Sequence, residues 1–236
     1  MASAQQNNIA VLCTRPIPDA LLRQAAAAGI TVHTASFIDT IPVHDKQVHQ
    51  QIANAFLQDA LVVFTSMNAV EAVAAQLKGH QPNWRIYCLG NTTRQLVAHN
   101  FGEHCIAGTA PDASQLARLM LQKETSAKVL FFCGNQRRDE LPQLLTHAGV
   151  QVNEVVVYQT IEVPHILQNY YDGILFFSPS AVRSFFTTNK LPSATVVFAI
   201  GNTTTAELKK YTNNTIITGN QAGKENLFNQ VMQYFL

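Results

Sequence analysis

Hydroxyl side chains recur in this chain directly after short apolar runs. Thr65-Ser66 follows Leu61-Val62-Val63-Phe64, and Ser178-Pro179-Ser180 follows Ile174-Leu175-Phe176-Phe177. Thr92-Thr93 and Thr203-Thr204-Thr205 each follow an apolar run closed by Gly-Asn, at Gly90-Asn91 and Gly201-Asn202. If each run is a strand of a parallel sheet that feeds a helix, the hydroxyls stand beyond the carboxyl ends of the strands, where helix N-termini point unpaired N–H groups outward. Gly90, Gly134 and Gly201 allow close backbone approach there. A carboxylate or phosphate at such a place gains about 0.3 to 1 kcal/mol from the helix dipole and about 1.5 to 3 per hydrogen bond to the charged group. A ligand with many acids around its rim could thus be held by several shallow anchors. Ser and Thr are also the preferred helix N-caps, so any one of these hydroxyls reads first as a cap. Thr-Thr and Ser-Pro-Ser nevertheless supply more hydroxyls than a cap needs.

Titratable candidates are few. Tyr158 follows the apolar strand Val155-Val156-Val157 and opens a stretch that reads as an interdomain linker; it is a candidate acid or an interfacial aromatic. Arg137 and Arg138 follow Gly134-Asn135 at a strand end, and Arg15 follows the strand near 9 to 13; each reads as a contact for ligand acids or as a solvated charge. There is no Gly-x-x-x-x-Gly-Lys and no Gly-x-Gly-x-x-Gly, so nucleotide binding has no support. The four cysteines, Cys13, Cys88, Cys105 and Cys133, lack zinc spacing and read as buried free thiols. Neither His44/His49 nor His99/His104 has the i, i+4 spacing of helical metal ligands, and no metal is expected.

The elements that must position these residues repeat. Val62 to Val70 returns as Ile174 to Val182, and Ile86 to Thr93 returns as Val197 to Thr204, both about 111 residues later. A looser pair joins Ile9 to Val32 with Lys128 to Val152, so the chain reads A, B, A′, B′. Strands are expected near 9–13, 31–35, 61–65, 85–89, 104–107, 128–132, 151–157, 173–177, 195–199 and 215–218, alternating with helices, which is the pattern of flavodoxin-like parallel sheets with five strands per half. B runs into A′ through an ordinary helix near Asp112 to Gln122 and a short turn, so B and A′ should share a domain. That leaves residues 45–157 as one contiguous domain and residues 1–36 with 165–236 as a discontinuous one. The stretches 37–44 and 158–164 read as paired linkers.

At 236 residues and 47% hydrophobic content the chain can pack a sizeable core. With 13% charged residues and a net charge of +1, it has no electrostatic footprint for nucleic acid. No basic amphipathic or membrane-length apolar stretch is present, and Met1 to Asn8 carries no signal-peptide pattern, which points to a soluble cytoplasmic protein.

Six motifs in order, spanning nearly the whole chain, resemble the uroporphyrinogen-III synthase family: Thr14-Arg15-Pro16; Phe64-Thr65-Ser66-x-Asn68-Ala69-Val70; Cys133-Gly134-Asn135 to Arg138-x-x-Leu141-Pro142; Val157-Tyr158-x-Thr160; Phe177-Ser178-Pro179-Ser180-Ala181-Val182; and Ile200-Gly201-x-Thr203-Thr204. The resemblance implies two α/β domains joined by a two-stranded linker, with the chain termini in one domain. It also implies a cofactor-free cyclisation of hydroxymethylbilane, a linear tetrapyrrole fringed with acetates and propionates, with inversion of ring D and loss of water. In the family's mechanism the terminal hydroxyl leaves, an azafulvene forms, attack gives a spiro-pyrrolenine, and rearrangement reverses ring D. Tyr158 matches the family's proposed proton donor, and a phenol is protonated at neutral pH. Thr14, Arg15, Thr65, Ser66, Thr92, Gly134, Asn135, Arg138, Ser178, Ser180, Gly201, Thr203 and Thr204 take the substrate-binding positions. Many members place a small residue four after the glycine, where this chain has Arg94 and Thr205, which leaves open which of Thr203, Thr204 and Thr205 faces a ligand. A monomer in transient contact with the preceding pathway enzyme is the implied state. The alternative from another class is a non-catalytic two-domain binding protein for a carboxylated metabolite, which would have no need of Tyr158.

Overall fold

A computed structural model describes residues 9–125, 128–221 and 223–236. In chain order its elements are β1 (Ile9–Cys13), α1 (Asp19–Ala27), β2 (Ile30–Thr34), β3 (Ile38–Pro42), α2 (Lys46–Phe56), β4 (Ala60–Phe64), α3 (Met67–Ala74), β5 (Trp84–Leu89), α4 (Thr92–Phe101) and, after a 3-10 turn at Glu103–Cys105, β6 (Ile106–Ala110). There follow α5 (Ala113–Lys123), β7 (Lys128–Gly134), α6 (Glu140–His147), β8 (Gln151–Glu162), β9 (Gly173–Phe176), α7 (Pro179–Thr188), β10 (Val196–Ala199), α8 (Asn202–Leu208), β11 (Ile216–Thr218) and α9 (Lys224–Phe235).

The chain divides into two compact units, Met1–Asp39 with Ile161–Leu236, and Thr40–Thr160. The first holds a sheet of order β11-β10-β9-β1-β2, all parallel. Numbered within the unit this is 2-1-3-4-5, the flavodoxin-like order. The second sheet has the order β3-β8-β7-β4-β5-β6, and from β8 to β6 it is parallel. Its five parallel strands repeat the spatial arrangement of the first sheet, but the chain enters at the third position because B precedes A′. The internal repeat thus builds one architecture twice with the chain permuted.

Both sheets are covered on two faces, which is why their central strands, such as β4, β9 and β10, are apolar along their length rather than alternating. In the contiguous unit, Val62 and Phe64 pack with α2, α3 and α4, while Leu61 and Val63 pack with α5 and α6. In the discontinuous unit, Val11 and Cys13 pack with α1 and α9, and Leu12 packs with α7 and α8.

Three strand expectations change. The stretches 37–43 and 158–164, read as paired linkers, do pair, as β3 and the end of β8, and β3 adds a sixth described strand to the second sheet where five were expected. β8 does not stop at 157 but continues to Glu162, because Val43 N–H donates to the Val157 carbonyl at 3.0 Å and Val163 N–H donates to the Phe37 carbonyl at 2.9 Å. These bonds run in opposite sequence sense, so β3 and β8 pair antiparallel. The strand expected from 104 begins at Ile106, since Gly102 at φ 94° ends α4 and the Cys105 N–H returns to the Gly102 carbonyl.

Candidate active site

In each parallel sheet the strand order reverses once, and the crevice beyond the carboxyl ends there is the place where ligands bind in open α/β sheets. In the contiguous unit it lies between β4 and β7, flanked by Thr65-Ser66 and Gly134-Asn135. Ser66 is the N-cap of α3, its Oγ accepting from the Asn68 N–H at 3.2 Å. The same Oγ accepts from the Tyr158 hydroxyl at 3.1 Å. With two bonds accepted, its own hydrogen is the donor left for a ligand.

Tyr158 reaches Ser66 because of two features of β7 and β8. Strict alternation along β8 would put Tyr158 on the face of Val156, against α5 and α6. The register slips between Cys133 and Gly134, from Cys133 opposite Val156 to Gly134 opposite Tyr158, so Val157 is an extra residue and Tyr158 joins Val155 and Val157 on the α3 face. A bulge re-aims a side chain in this way. The ring then crosses the end of β7: a Cβ on Gly134 would stand 2.4 Å from Tyr158 Cζ and 2.7 Å from its hydroxyl oxygen. Only a glycine leaves that path open.

Asn135 fixes the backbone around the tyrosine. Its N–H donates to the Tyr158 carbonyl at 3.2 Å, and its side-chain oxygen accepts from the Thr160 N–H at 2.9 Å. Arg137 is tied to Glu154 and Asp139, which hold its guanidinium above its ordinary pKa, so it braces the turn. Arg138 is exposed and among the described residues has no ion-pair partner. Thr65 is half-buried, and Thr92 opens α4 in an exposed position after β5.

In the discontinuous unit the reversal lies between β1 and β9. Thr14 is fully buried, and its hydroxyl donates to the Leu175 carbonyl at 2.8 Å beside the Thr14 N–H bond to the same oxygen. It stitches the two strands and presents nothing to solvent. Arg15, the next residue, is exposed. Ser178 caps α7, accepting from the Ala181 N–H at 3.2 Å, and lies 3.1 Å from the buried Ser180 hydroxyl. Beyond β10, Gly201 precedes α8, Thr203 is exposed, and Thr204 is buried with a hydroxyl that has no partner. Thr205 is bonded to Thr218 at 2.7 Å. The other repeat shows the same pattern, with Thr92 exposed and Thr93 buried. Burial of the second threonine is therefore a property of the repeated turn, and Thr203 is the member of its triplet that a ligand can reach.

Burial pushes the Cys13 thiol up to about 12 and the Cys88 and Cys133 thiols up to about 11. These strand-end sulfurs are thus protonated, poor nucleophiles. The feature that sequence reasoning missed is the bulge: three consecutive valines before Tyr158 hide which face each one takes.

A family model described as uroporphyrinogen-III synthase HemD matches residues 19–229. The fold is similar to the crystal structure of uroporphyrinogen-III synthetase from Helicobacter pylori 26695, at 17% identity and a TM-score of 0.63 over 96% of this chain and 99% of that one. A mutant uroporphyrinogen III synthase from the extremely thermophilic bacterium Thermus thermophilus is similar at 14% identity and a TM-score of 0.61, over 96% of this chain and 97% of that one.

Proposed function

Because the chain belongs to the uroporphyrinogen-III synthase family, whose model matches residues 19–229, we propose that it closes hydroxymethylbilane to uroporphyrinogen III with ring D inverted and water lost. The observation that carries the mechanism is the Tyr158 hydroxyl held 3.1 Å from Ser66 Oγ across Gly134. Tyr158 delivers the proton with which the terminal hydroxyl departs as water, and Ser66 aims the phenol. The proton lost from the pyrrole carbon on final closure balances the one delivered. Protonation, ring closure and water loss are acid–base steps, so the reaction needs no metal, nucleotide or organic cofactor.

The exposed hydroxyls Thr92 and Thr203, the capping serines Ser66 and Ser178, and the cation of Arg15 suit a substrate rimmed with carboxylates. Thr65, Gly134, Asn135, Arg138, Ser180 and Gly201 complete the binding set, whereas Thr14 and Thr204 act through packing. Because unassisted closure gives the uninverted isomer, steering of the bilane is the main burden on the protein, and a brief contact with the preceding enzyme would shorten its free lifetime. The proposal extends to a cytoplasmic monomer; among the described residues no helix is long and apolar enough to cross a membrane. It also takes residues 45–157, and 1–36 with 165–236, as domains that fold separately.

The deciding experiment is turnover of hydroxymethylbilane with isomer analysis after dialysis against a chelator. The type III isomer at undiminished rate is expected. Failure to exceed spontaneous closure, or activity that returns only with added metal, refutes the proposal.

A further inference from the structure

Arg15 and Lys224 lie 209 positions apart in the chain, yet the fold brings them together at the end of β1. Lys224 Nζ donates to the carbonyl of Pro16, the residue after Arg15, at 3.4 Å. The two cations feel each other: Lys224 is held below its ordinary pKa, first by partial burial and then by the charge of Arg15. Among the described residues no acidic side chain comes within ion-pair distance of either, although Asp19 and Glu225 are near in sequence. Arg94 and Arg137, by contrast, each have a carboxylate partner. Both side chains of the pair are exposed, beside the point where the β1–β9 strand order reverses. Two like charges near each other without an acid between them cost stability in the free protein, and an added carboxylate would relieve that cost.

We propose that Arg15 and Lys224 together form a subsite that takes one carboxylate of the substrate's acetate or propionate side chains, bridged between guanidinium and ammonium. This rests on the tetrapyrrole reading above for the ligand's identity. One ammonium hydrogen is committed to the Pro16 carbonyl and two remain for the ligand, while the planar guanidinium offers its own donors. The pair therefore specifies an anion with two acceptor oxygens. Lys224 is a positioning and specificity residue, not a catalytic one.

The test compares wild type with Lys224→Gln and Lys224→Arg. With hydroxymethylbilane, Lys224→Gln is expected to raise KM about three- to tenfold with kcat within about twofold, and Lys224→Arg to restore most of the loss. In the free protein at low ionic strength, the unfolding midpoint of Lys224→Gln is expected to equal or exceed that of wild type, because repulsion has been removed. Citrate, a small polycarboxylate, should raise the midpoint of wild type and not that of Lys224→Gln. An unchanged KM, an equal citrate shift in both proteins, or a lower midpoint for Lys224→Gln would overturn the inference, the last by making Lys224 a brace for the Pro16 carbonyl. A wild type that shows the Lys224-dependent citrate shift but no turnover would sink the tetrapyrrole reading and leave the carboxylate subsite standing.

Discussion

Replacing Gly134 by alanine tests whether the path of the Tyr158 ring matters for chemistry or only for packing. The added methyl would stand 2.4 Å from Cζ, 2.7 Å from Cε2 and 2.7 Å from the hydroxyl oxygen. Carbon atoms in contact rest about 3.5 Å apart or more, so the ring must recede by about 1 Å. That movement takes a hydroxyl now 3.1 Å from Ser66 Oγ beyond hydrogen-bond range. The displaced atoms are the far end of a side chain, and the backbone at Gly134 lies outside the left-handed region. The stability cost is therefore small, about 1 kcal/mol for the lost bond with some repacking, or about 1 to 2 in total. The catalytic cost is larger, since a 1 Å misplacement of an acid costs on the order of a hundredfold. Tyr158→Phe, which keeps the ring and removes the proton, should lose a similar factor while folding normally. Adding Gly134→Ala to Tyr158→Phe should then lower the melting midpoint further without lowering turnover further; with Tyr158→Ala the methyl has room and the stability cost should vanish. Steady-state turnover with isomer analysis and thermal melts of wild type and the five variants suffice. If Gly134→Ala keeps turnover within twofold of wild type, or if the Phe double variant loses another tenfold, the phenol is not the acid.

The two classes of threonine should separate: Thr14→Val is expected to cost about 1 to 2 kcal/mol of stability with turnover unchanged, because it leaves the Leu175 carbonyl short of a buried donor. Thr203→Val, at an exposed position, should instead raise KM with the melting midpoint unchanged. The buried thiols predict a pH window. Their folded pKa values, about 12 for Cys13 and about 11 for Cys88 and Cys133, lie above the ordinary 9.0, so the stability they contribute is whole below pH 9 and is lost as pH rises toward 11 and 12. Unfolding free energies from urea titration should thus fall above pH 9, by up to about 1.4 kcal/mol per pH unit for each thiol; burial raises Cys105 as well, so a variant with all four cysteines replaced by serine and a flatter profile from pH 8 to 10 would confirm the source. A fragment of Thr40–Thr160, which holds every strand of one sheet save the start of β3 and the end of β8, should melt cooperatively, whereas Met1–Lys123 should not, because it separates β1 and β2 from β9 and β4 to β6 from β7. Cooperative melting by the second fragment alone would mean that each repeat folds by itself.

Most strands were legible because doubly covered parallel sheets leave apolar runs that no surface requirement interrupts. The repeat carried the topology further: B joined to A′ by a short helical connection implied that their strands share one sheet, as β4 to β8 do, while the order of the strands within it left no mark in the sequence. The hydroxyls were legible as a group and illegible singly, since Ser66 and Ser178 serve as caps and still face the crevice, and only burial distinguishes Thr203 from Thr204. β3 was legible as an extended linker paired with 158–164, since both stretches alternate like strands, but alternation alone does not mark it as a sixth strand of the sheet. The bulge at Val157 lay hidden for the opposite reason: with both faces of the sheet buried, valine suits each face, and the register slip leaves no mark in residue type.

The two units differ most where the repeat would have made them alike. At the strand-order reversal of one, a glycine ends the strand and lets a tyrosine lie across it onto a capping serine. At the reversal of the other, a buried threonine closes the corresponding gap, and the next two residues are an arginine and a proline whose carbonyl accepts from Lys224. On the proposed function, a proton donor for a departing hydroxyl and cations for a carboxylate are different demands, and a duplicated fold would meet them by changing the few residues after one strand while keeping the sheet beneath. On that reading the chemistry is set less by the hydroxyls, which the repeat supplies twice as helix caps, than by the positions where the copies diverge. Grafting shows the same logic in reverse: placing a glycine at Thr14 should cost stability and open no path for an acid, because no tyrosine follows a bulge on β2, whose register with β1 runs unbroken from Ile9–Ile30 to Cys13–Thr34.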